Sequence, residues 1–262
     1  MKKYFVIGNP IEHSLSPQIH EFWMKKNNIN AFYKKQKLNN TDLRDYILKI
    51  KNKEIDGINV TIPFKKEIIS YLDELSPEAD KTQSVNTIYL SNKKVIGHNT
   101  DINGFKFAIR DTKYDATDKK VFILGAGGVV SSIILALIDM NVSNIIVTNR
   151  TKSKADDLKN LFKSVKTVEW GDIPDFDMII NATSLGLKNE KINLDLSKIK
   201  NDKFFYDVIY NPNETNFLRN ARTAGNYAEN GKKMFIYQAA EAFRIWHGVQ
   251  PEINEEVFEI LS

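Results

Sequence analysis

The stretch Lys120-Val-Phe-Ile-Leu-Gly-Ala-Gly-Gly128 constrains this chain more than any other, because an apolar strand runs straight into three glycines and then into an apolar helix. Glycine at such a turn lets the backbone bend sharply and lets its N–H groups approach an anion. The helix that comes next presents the positive end of its dipole to the same place. Gly125, Ala126, Gly127 and Gly128 therefore read as a cradle for the pyrophosphate of a dinucleotide. The pattern is abbreviated: a full fingerprint is G-x-G-x-x-G, and Val130 stands where the third glycine would be. A plain strand-to-helix turn of an α/β core explains the fragment equally well, so the flanking chain must decide.

The flanking chain alternates. Strand Val121 to Leu124, helix Val129 to Met140, strand Asn144 to Thr148, helix Lys152 to Phe162, and strands Thr167 to Trp170, Met178 to Asn181 and Phe204 to Val208 succeed one another. This is the spacing of βαβ units, which right-handed crossovers wind into a Rossmann-like sheet. An earlier series alternates too, with strands at Tyr4 to Ile7, Phe32 to Leu38 and Gly57 to Thr61. Helices fall between them at Ile19 to Lys26, at Asp42 to Lys51 behind a Thr41 cap, and at Lys65 to Leu72. Asn86 to Leu90 and Lys94 to Ile96 form a hairpin that closes this first α/β region. The polar stretch Asp111 to Asp118 is a candidate boundary. After Pro212 the chain is helical at Thr215 to Thr223, Gly- and Asn-rich to Gly231, and helical again at Ile236 to Trp246 and Glu255 to Leu261.

At 262 residues two domains are expected, and 42% hydrophobic residues suffice for sizeable cores. The formal charge of +4 is spread over scattered lysine pairs, so no stripe for nucleic acid emerges. There is no cysteine, which excludes disulfides, thiolate catalysis and cysteine-held metals. The longest apolar helix is too short to span a bilayer, and no signal-peptide pattern opens the chain. The expectation is a soluble, cytoplasmic protein with no membrane or nucleic-acid partner, and either a monomer or a homodimer. The four histidines show no metal-ligand spacing.

Cofactor identity turns on the residues just past the second strand of the nucleotide unit. An NAD site usually carries an acidic residue about 20 residues past the glycines, to bind the ribose 2′-hydroxyl. Here the chain reads Asn149-Arg150-Thr151, with Lys154 close behind. Arg150 can grip a 2′-phosphate by charged hydrogen bonds, and no carboxylate repels it, so NADP(H) is the expected cofactor. A reductase then needs a proton donor beside the carbonyl oxygen. Lys65 lies past the Asn59-Val-Thr-Ile-Pro63 strand end, where open α/β sheets place ligands, and Asp101 closes Gly97-His-Asn-Thr-Asp101. Taken singly, an exposed lysine and a helix-capping aspartate explain these positions as well. Ser14 and Ser16 precede a helix and serve either as caps or as ligands. Asn86, Thr87 and Gln238 sit within apolar patterns, where an unpaired polar group is costly and a partner is required.

In order along the chain stand Ile7-Gly-Asn-Pro10 with His13-Ser-Leu-Ser-Pro17, Asn59-Val-Thr-Ile-Pro-Phe-Lys65, Val85-Asn-Thr87, Asn99-Thr-Asp101 with Gly104, Gly125-Ala-Gly-Gly128, Asn149-Arg-Thr151, Asn181-Ala-Thr-Ser184, Tyr210-Asn-Pro212 and Gln238-Ala-Ala240. So many motifs in sequence resemble the shikimate dehydrogenase family over nearly the whole chain, from Val6 to Gly248. The resemblance implies NADPH-dependent, reversible reduction of 3-dehydroshikimate to shikimate, on the route to aromatic amino acids. It implies a substrate domain over 1–103, a Rossmann-like NADP-binding domain over 104–231, and helices over 232–262 that return to the first domain and leave a cleft able to close.

By the same resemblance Lys65 and Asp101 match the catalytic pair. Ser14, Ser16, Thr61, Asn86 and Gln238 hold the substrate's carboxylate and hydroxyls, and Asn59 and Tyr210 lie near its ring. The glycine turn, Asn149, Arg150, Thr151, Thr183 and Gly231 bind cofactor. The sequence departs from the family pattern at Ser84, more often alanine, and at Lys232-Lys233, a usually less charged run. Two rival readings are an NAD-using quinate/shikimate dehydrogenase and a nucleotide-binding regulator of the same fold. Arg150 argues against the first, and the presence of both Lys65 and Asp101 against the second.

Overall fold

The computed structural model describes residues 1–188, 190–195, 199 and 201–261. The chain divides into two compact units, one of Met1–Gly104 with Ile236–Ser262, the other of Phe105–Phe235.

In the first unit β1 (Lys2–Gly8), α1 (Ser16–Lys26), β2 (Ala31–Lys37), α2 (Leu43–Lys51), β3 (Gly57–Val60), β4 (Glu74–Leu75), α3 (Pro77–Thr82), β5 (Thr87–Ser91) and β6 (Lys94–His98) come in order. They build a six-stranded sheet ordered β2-β1-β3-β5-β6-β4. β1 pairs parallel with β2 and β3, while β5 runs antiparallel to both β3 and β6. The β5–β6 turn places Asn92 and Lys93 at φ 49° and 65°, as a two-residue hairpin turn requires.

α2 shows why one sheet face is dry: Leu43, Ile47 and Ile50 recur at helical spacing and are buried with Ile7, Ile58, Val60, Phe64, Ile68 and Val95. An aromatic layer from α1, β2 and the later segment 236–247 gathers His20, Trp23, Tyr33, Phe243 and Trp246. Trp246 donates its Nε1–H to the Ile88 carbonyl at 3.1 Å. A side chain at Gly57 would lie 2.5 Å from that indole nitrogen, so glycine is needed for the close approach.

The chain enters the second unit along α4 (Asp101–Asp111). There β7 (Lys120–Leu124), α5 (Val130–Asp139), β8 (Asn144–Thr148), α6 (Lys152–Leu161), β9 (Val165–Val168), β10 (Met178–Asn181), β11 (Phe204–Asp207), α7 (Asn216–Thr223) and β12 (Tyr227–Glu229) succeed one another. The sheet order is β12-β11-β10-β7-β8-β9, all parallel. Counted from β7 this is the doubly wound order 3-2-1-4-5-6, with its switch point between β7 and β10. Its strands are near-continuous apolar runs, as a sheet covered on both faces demands. The chain leaves along α8 (Lys232–His247) and ends with α9 (Glu255–Glu259).

The α/β alternation and the Rossmann-like second region stand as the sequence predicts. Several details differ. The helix expected behind Thr41 has Asp42 as its N-cap position and is preceded by a 3₁₀ turn, Asn40–Asp42, that Asn39 opens in a capping box with Asp42. The segment from Lys65 forms only a 3₁₀ turn at Glu67–Tyr71. β9 starts two residues earlier than its alternation suggests, because Val165 is the buried residue that pairs with Ile145. The break between units precedes the polar stretch after Asp111, since Phe105 of α4 packs edge-on against Tyr206 at 5.2 Å.

Candidate active site

In the first unit the loops at the carboxyl ends of the parallel strands gather the polar residues. β1 leads through Gly8 to Ser14 and Ser16, and β3 leads to Thr61 and Lys65. A Cβ on Gly8 would sit 2.6 Å from the Thr61 methyl, so glycine there lets the two strand ends meet. Ser14 donates its hydroxyl to Ser16 Oγ at 3.1 Å, at the start of α1. Neither hydroxyl caps α1, because the cap position is Leu15 and carries no side-chain cap bond.

Lys65 and Asp101, 36 residues apart in sequence, meet at 2.5 Å between Nζ and Oδ2. Their side chains are only 13% and 7% exposed. A charged pair so far out of water needs its remaining atoms satisfied, and Asp101 has that support. Its Oδ1 accepts from Asn86 Nδ2 at 2.9 Å, and its backbone N–H donates to Asn99 Oδ1 at 3.0 Å. Asn99 in turn donates to Thr82 Oγ1 and to the Ser84 carbonyl. Ser84, itself fully buried, thus contributes its backbone carbonyl to this support.

Asn86 is a hub. Its Oδ1 accepts from the Thr100 N–H at 2.9 Å and the Thr87 hydroxyl at 3.0 Å, and its Nδ2 also lies 2.9 Å from Thr100 Oγ1 and 3.4 Å from Gln238 Oε1. Gln238, from α8, is thereby tied to the pair. Asn59 joins from β3: its Nδ2 donates to the Asn86 carbonyl at 3.0 Å and to Thr87 Oγ1 at 3.1 Å. Sequence patterns singled out Asn59, Lys65, Asn86, Asp101 and Gln238 separately, and the fold brings them into one network. Tyr33, Thr87, Asn99 and Thr100 belong to it as well. Thr87 carried the same sequence signal as Asn86, a polar residue inside an apolar pattern, which says that a partner exists without naming it, whereas Tyr33 on the lysine-rich β2 carried none.

In the second unit the glycine turn succeeds β7 at the switch point. Gly125 has φ 110°, and a Cβ there would meet the Ala182 carbonyl oxygen at 2.8 Å and the Thr183 methyl at 3.1 Å. The fold therefore demands Gly125. Gly127 is different: an added Cβ meets nothing within 4 Å, and its φ is ordinary, so packing does not explain its small size. Close approach of a ligand to the backbone does. Val130, in place of the third glycine, is fully buried as the first residue of α5. Gly231 is a packing glycine, with Val208 O 2.2 Å from where its Cβ would stand.

Beyond β8, Asn149 Nδ2 donates to the Thr151 carbonyl at 2.8 Å and so shapes the turn into α6. Thr151 is the N-cap of α6 but makes no side-chain cap bond. Lys152 is held by Glu169, whereas among the described residues neither Arg150 nor Lys154 has a carboxylate partner. Both are exposed. Two unpaired cations, a free hydroxyl and a helix N-terminus suit an added phosphate, and the open Gly127 suits a pyrophosphate, so the residues present fit NADP(H). Thr183 flanks the turn, its hydroxyl donating to Asn181 Oδ1 at 2.7 Å and accepting from the Leu185 N–H at 3.1 Å.

Asn181 continues inward to Asp207, a fully buried carboxylate at the end of β11. The Thr215 hydroxyl donates to Asp207 at 2.7 Å and the Ile209 N–H at 3.0 Å. Burial nevertheless pushes this carboxyl up to about 6, with those bonds pulling the other way. Tyr210, in the loop beyond, stacks on Phe235 with centroids 4.4 Å apart. Among the described residues no cluster suits a metal ion, and no helix is long and apolar enough to cross a membrane.

Residues 6–88 match the family model of the shikimate dehydrogenase substrate binding domain, and residues 107–214 that of shikimate / quinate 5-dehydrogenase. Residues 233–255 match the shikimate 5′-dehydrogenase C-terminal domain. The chain is 55% identical to a shikimate dehydrogenase (NADP(+)) of Pelagibacter ubique, with 100% of both chains covered. It is 35% identical to the protein of that name from Caldicellulosiruptor saccharolyticus, over 100% of this chain and 98% of the other. A solved Thermus thermophilus shikimate 5-dehydrogenase, in complex with NADP(H) and shikimate, is similar with a TM-score of 0.91 at 29% identity, covering 100% of this chain and 98% of that one. Matched end to end by the family's domains and by a relative of such identity, this chain belongs to the shikimate dehydrogenase family.

Proposed function

We propose that the protein reduces 3-dehydroshikimate to shikimate with NADPH, reversibly, with Lys65 and Asp101 as the reacting pair. The observation that carries this reading is the 2.5 Å contact between those two largely buried side chains, supported on Asp101 by Asn86. When bound, NADPH supplies the hydride to C3 of the ring. Lys65 and Asp101 pass a proton to the oxygen on that carbon, and the lysine stabilises the developing alkoxide charge. Ser14, Ser16, Thr61 and Gln238 hold the substrate's carboxylate and hydroxyls. Asn59 and Asn86 keep the polar frame around Asp101 in place. Arg150, with Thr151 and Lys154, selects the 2′-phosphate. The compartment is the cytoplasm and the assembly a monomer or a homodimer.

The test is an absorbance assay of cofactor oxidation with each of four combinations, 3-dehydroshikimate or 3-dehydroquinate with NADPH or NADH. Rapid turnover of 3-dehydroshikimate with NADPH is expected. A higher kcat/KM with NADH, or with dehydroquinate, refutes the cofactor or the substrate assignment respectively. No turnover with any pair refutes the enzyme reading.

A further inference from the structure

We propose that Tyr33 is a positioning residue for the reaction, acting on Asp101 through a directed line of buried hydrogen bonds. The proposal rests on the reading of Lys65 and Asp101 as the reacting pair. Tyr33 lies on β2, is 1% exposed, and donates its hydroxyl to Asn59 Oδ1 at 2.6 Å. The Asn86 carbonyl, which can only accept, requires the Asn59 Nδ2 on its side, where Nδ2 also reaches Thr87 Oγ1, and the Tyr33 hydroxyl holds the amide from its other end by donating to Oδ1. Having accepted a hydrogen from Asn59, the Thr87 hydroxyl has one proton to give, and it donates that proton to Asn86 Oδ1 at 3.0 Å. With its oxygen so engaged, Asn86 turns its Nδ2 toward Asp101 Oδ1 at 2.9 Å, leaving Oδ2 to Lys65.

Every member of this line is buried, Asn59 at 7% exposure, Asn86 at 2% and Thr87 at 0%, so no solvent competes for the bonds. Deep polar networks of this kind hold one geometry only while each donor and acceptor is matched. Tyr33 is held in turn by the flat face of His20, whose ring stacks on it at 4.4 Å and 2°. The Thr100 N–H also donates to Asn86 Oδ1, so the amide has two anchors. Loss of the Tyr33 line is therefore expected to reduce turnover severalfold and not to abolish it. The line runs within the first unit, whereas the glycine turn and Arg150 belong to the second, so cofactor affinity is expected to stay as it was.

The experiment compares Tyr33→Phe, Thr87→Val, Thr87→Ser and the Tyr33→Phe/Thr87→Val double variant with the parent enzyme, well below each measured Tm. The expected results are a roughly five-fold fall in kcat for Tyr33→Phe with KM for NADPH unchanged, recovery of kcat in Thr87→Ser relative to Thr87→Val, and a double variant no slower than the worse single one. A Tyr33→Phe enzyme with a lower Tm but parental kcat overturns the proposal, since that is what a purely structural bond gives. Losses that multiply in the double variant overturn it too. Lys65→Ala, assayed alongside, separates the two failures: if it is inactive while Tyr33→Phe is normal, only the positioning role falls. If Lys65→Ala turns over normally, the reading beneath falls with it.

Discussion

His20 gives a quantitative prediction that involves no catalytic group. Its ring is fully buried among Trp23, Tyr33, Phe243 and Trp246, with neither nitrogen hydrogen-bonded among the described residues. Desolvation, with a smaller push from His247, lowers it from about 6.5 to about 3. Linkage sets the sign. The unfolded chain binds the proton first, so stability is lost as the pH falls through the unfolded value and the loss levels off near the folded one. Between pH 7 and pH 5 this single site removes about 2 kcal/mol, rising to about 4 kcal/mol at pH 3. Substituting His20→Leu deletes the titration while keeping the site apolar. Urea denaturation of both proteins at pH 7 and pH 5 gives a difference of differences, in which other titrating groups, Asp207 among them, largely cancel. The leucine variant should gain about 2 kcal/mol relative to the parent between pH 7 and pH 5, whatever its stability at pH 7. Parallel pH profiles for the two proteins would refute a neutral, desolvated His20.

Three further outcomes concern the second unit. Arg150→Ala should raise KM for NADPH by about 10- to 100-fold, the worth of a charged hydrogen bond of about 1.5–3 kcal/mol, and leave KM for NADH nearly unchanged. Equal effects on both cofactors would remove the 2′-phosphate assignment. Gly127→Ala should leave thermal stability intact and weaken cofactor binding, whereas Gly231→Ala, whose methyl would meet Val208 O at 2.2 Å, should unfold at markedly lower temperature. Calorimetry with and without NADPH distinguishes them. Asp207→Leu strands the donors of Asn181, Ile209 and Thr215 in a buried site and should cost at least about 3 kcal/mol in denaturant unfolding, at about 1–3 kcal/mol per donor. A loss under about 1 kcal/mol would mean that the network relaxes or takes in water.

Much of this was legible in the sequence because two periods differ so plainly. Apolar runs such as Val121 to Leu124 and Met178 to Asn181 can only be strands covered on both faces, and the helices between them repeat every three to four residues. Pattern reading failed where a local choice decides the element. A 3₁₀ turn opened by Asn39, with Asp42 returning its bond, took up Thr41 and left Asp42 at the cap position of α2, and the segment after Pro63 tightened into a 3₁₀ turn. At the site, residue types were legible and distances were not. Lys65 and Asp101 each had an ordinary explanation alone, and their meeting depends on β3, β5 and β6 lying side by side, which is a property of strand order. Tyr33 was invisible for a related reason: a tyrosine beside Phe32 on a strand otherwise rich in lysine signals packing alone, and its hydroxyl matters only because the fold sets Asn59 of β3 within its reach. The glycines divided cleanly only in three dimensions, into those the packing requires, Gly125 and Gly231, and the one it does not, Gly127.

The most direct test of the account is the steady-state rate of 3-dehydroshikimate reduction by Lys65→Ala under saturating NADPH, beside the parent enzyme. Removing the proton-handling lysine should lower kcat by about 10²- to 10⁴-fold, with little change in KM for either ligand. A Lys65→Ala enzyme with near-parental kcat would contradict the central assignment.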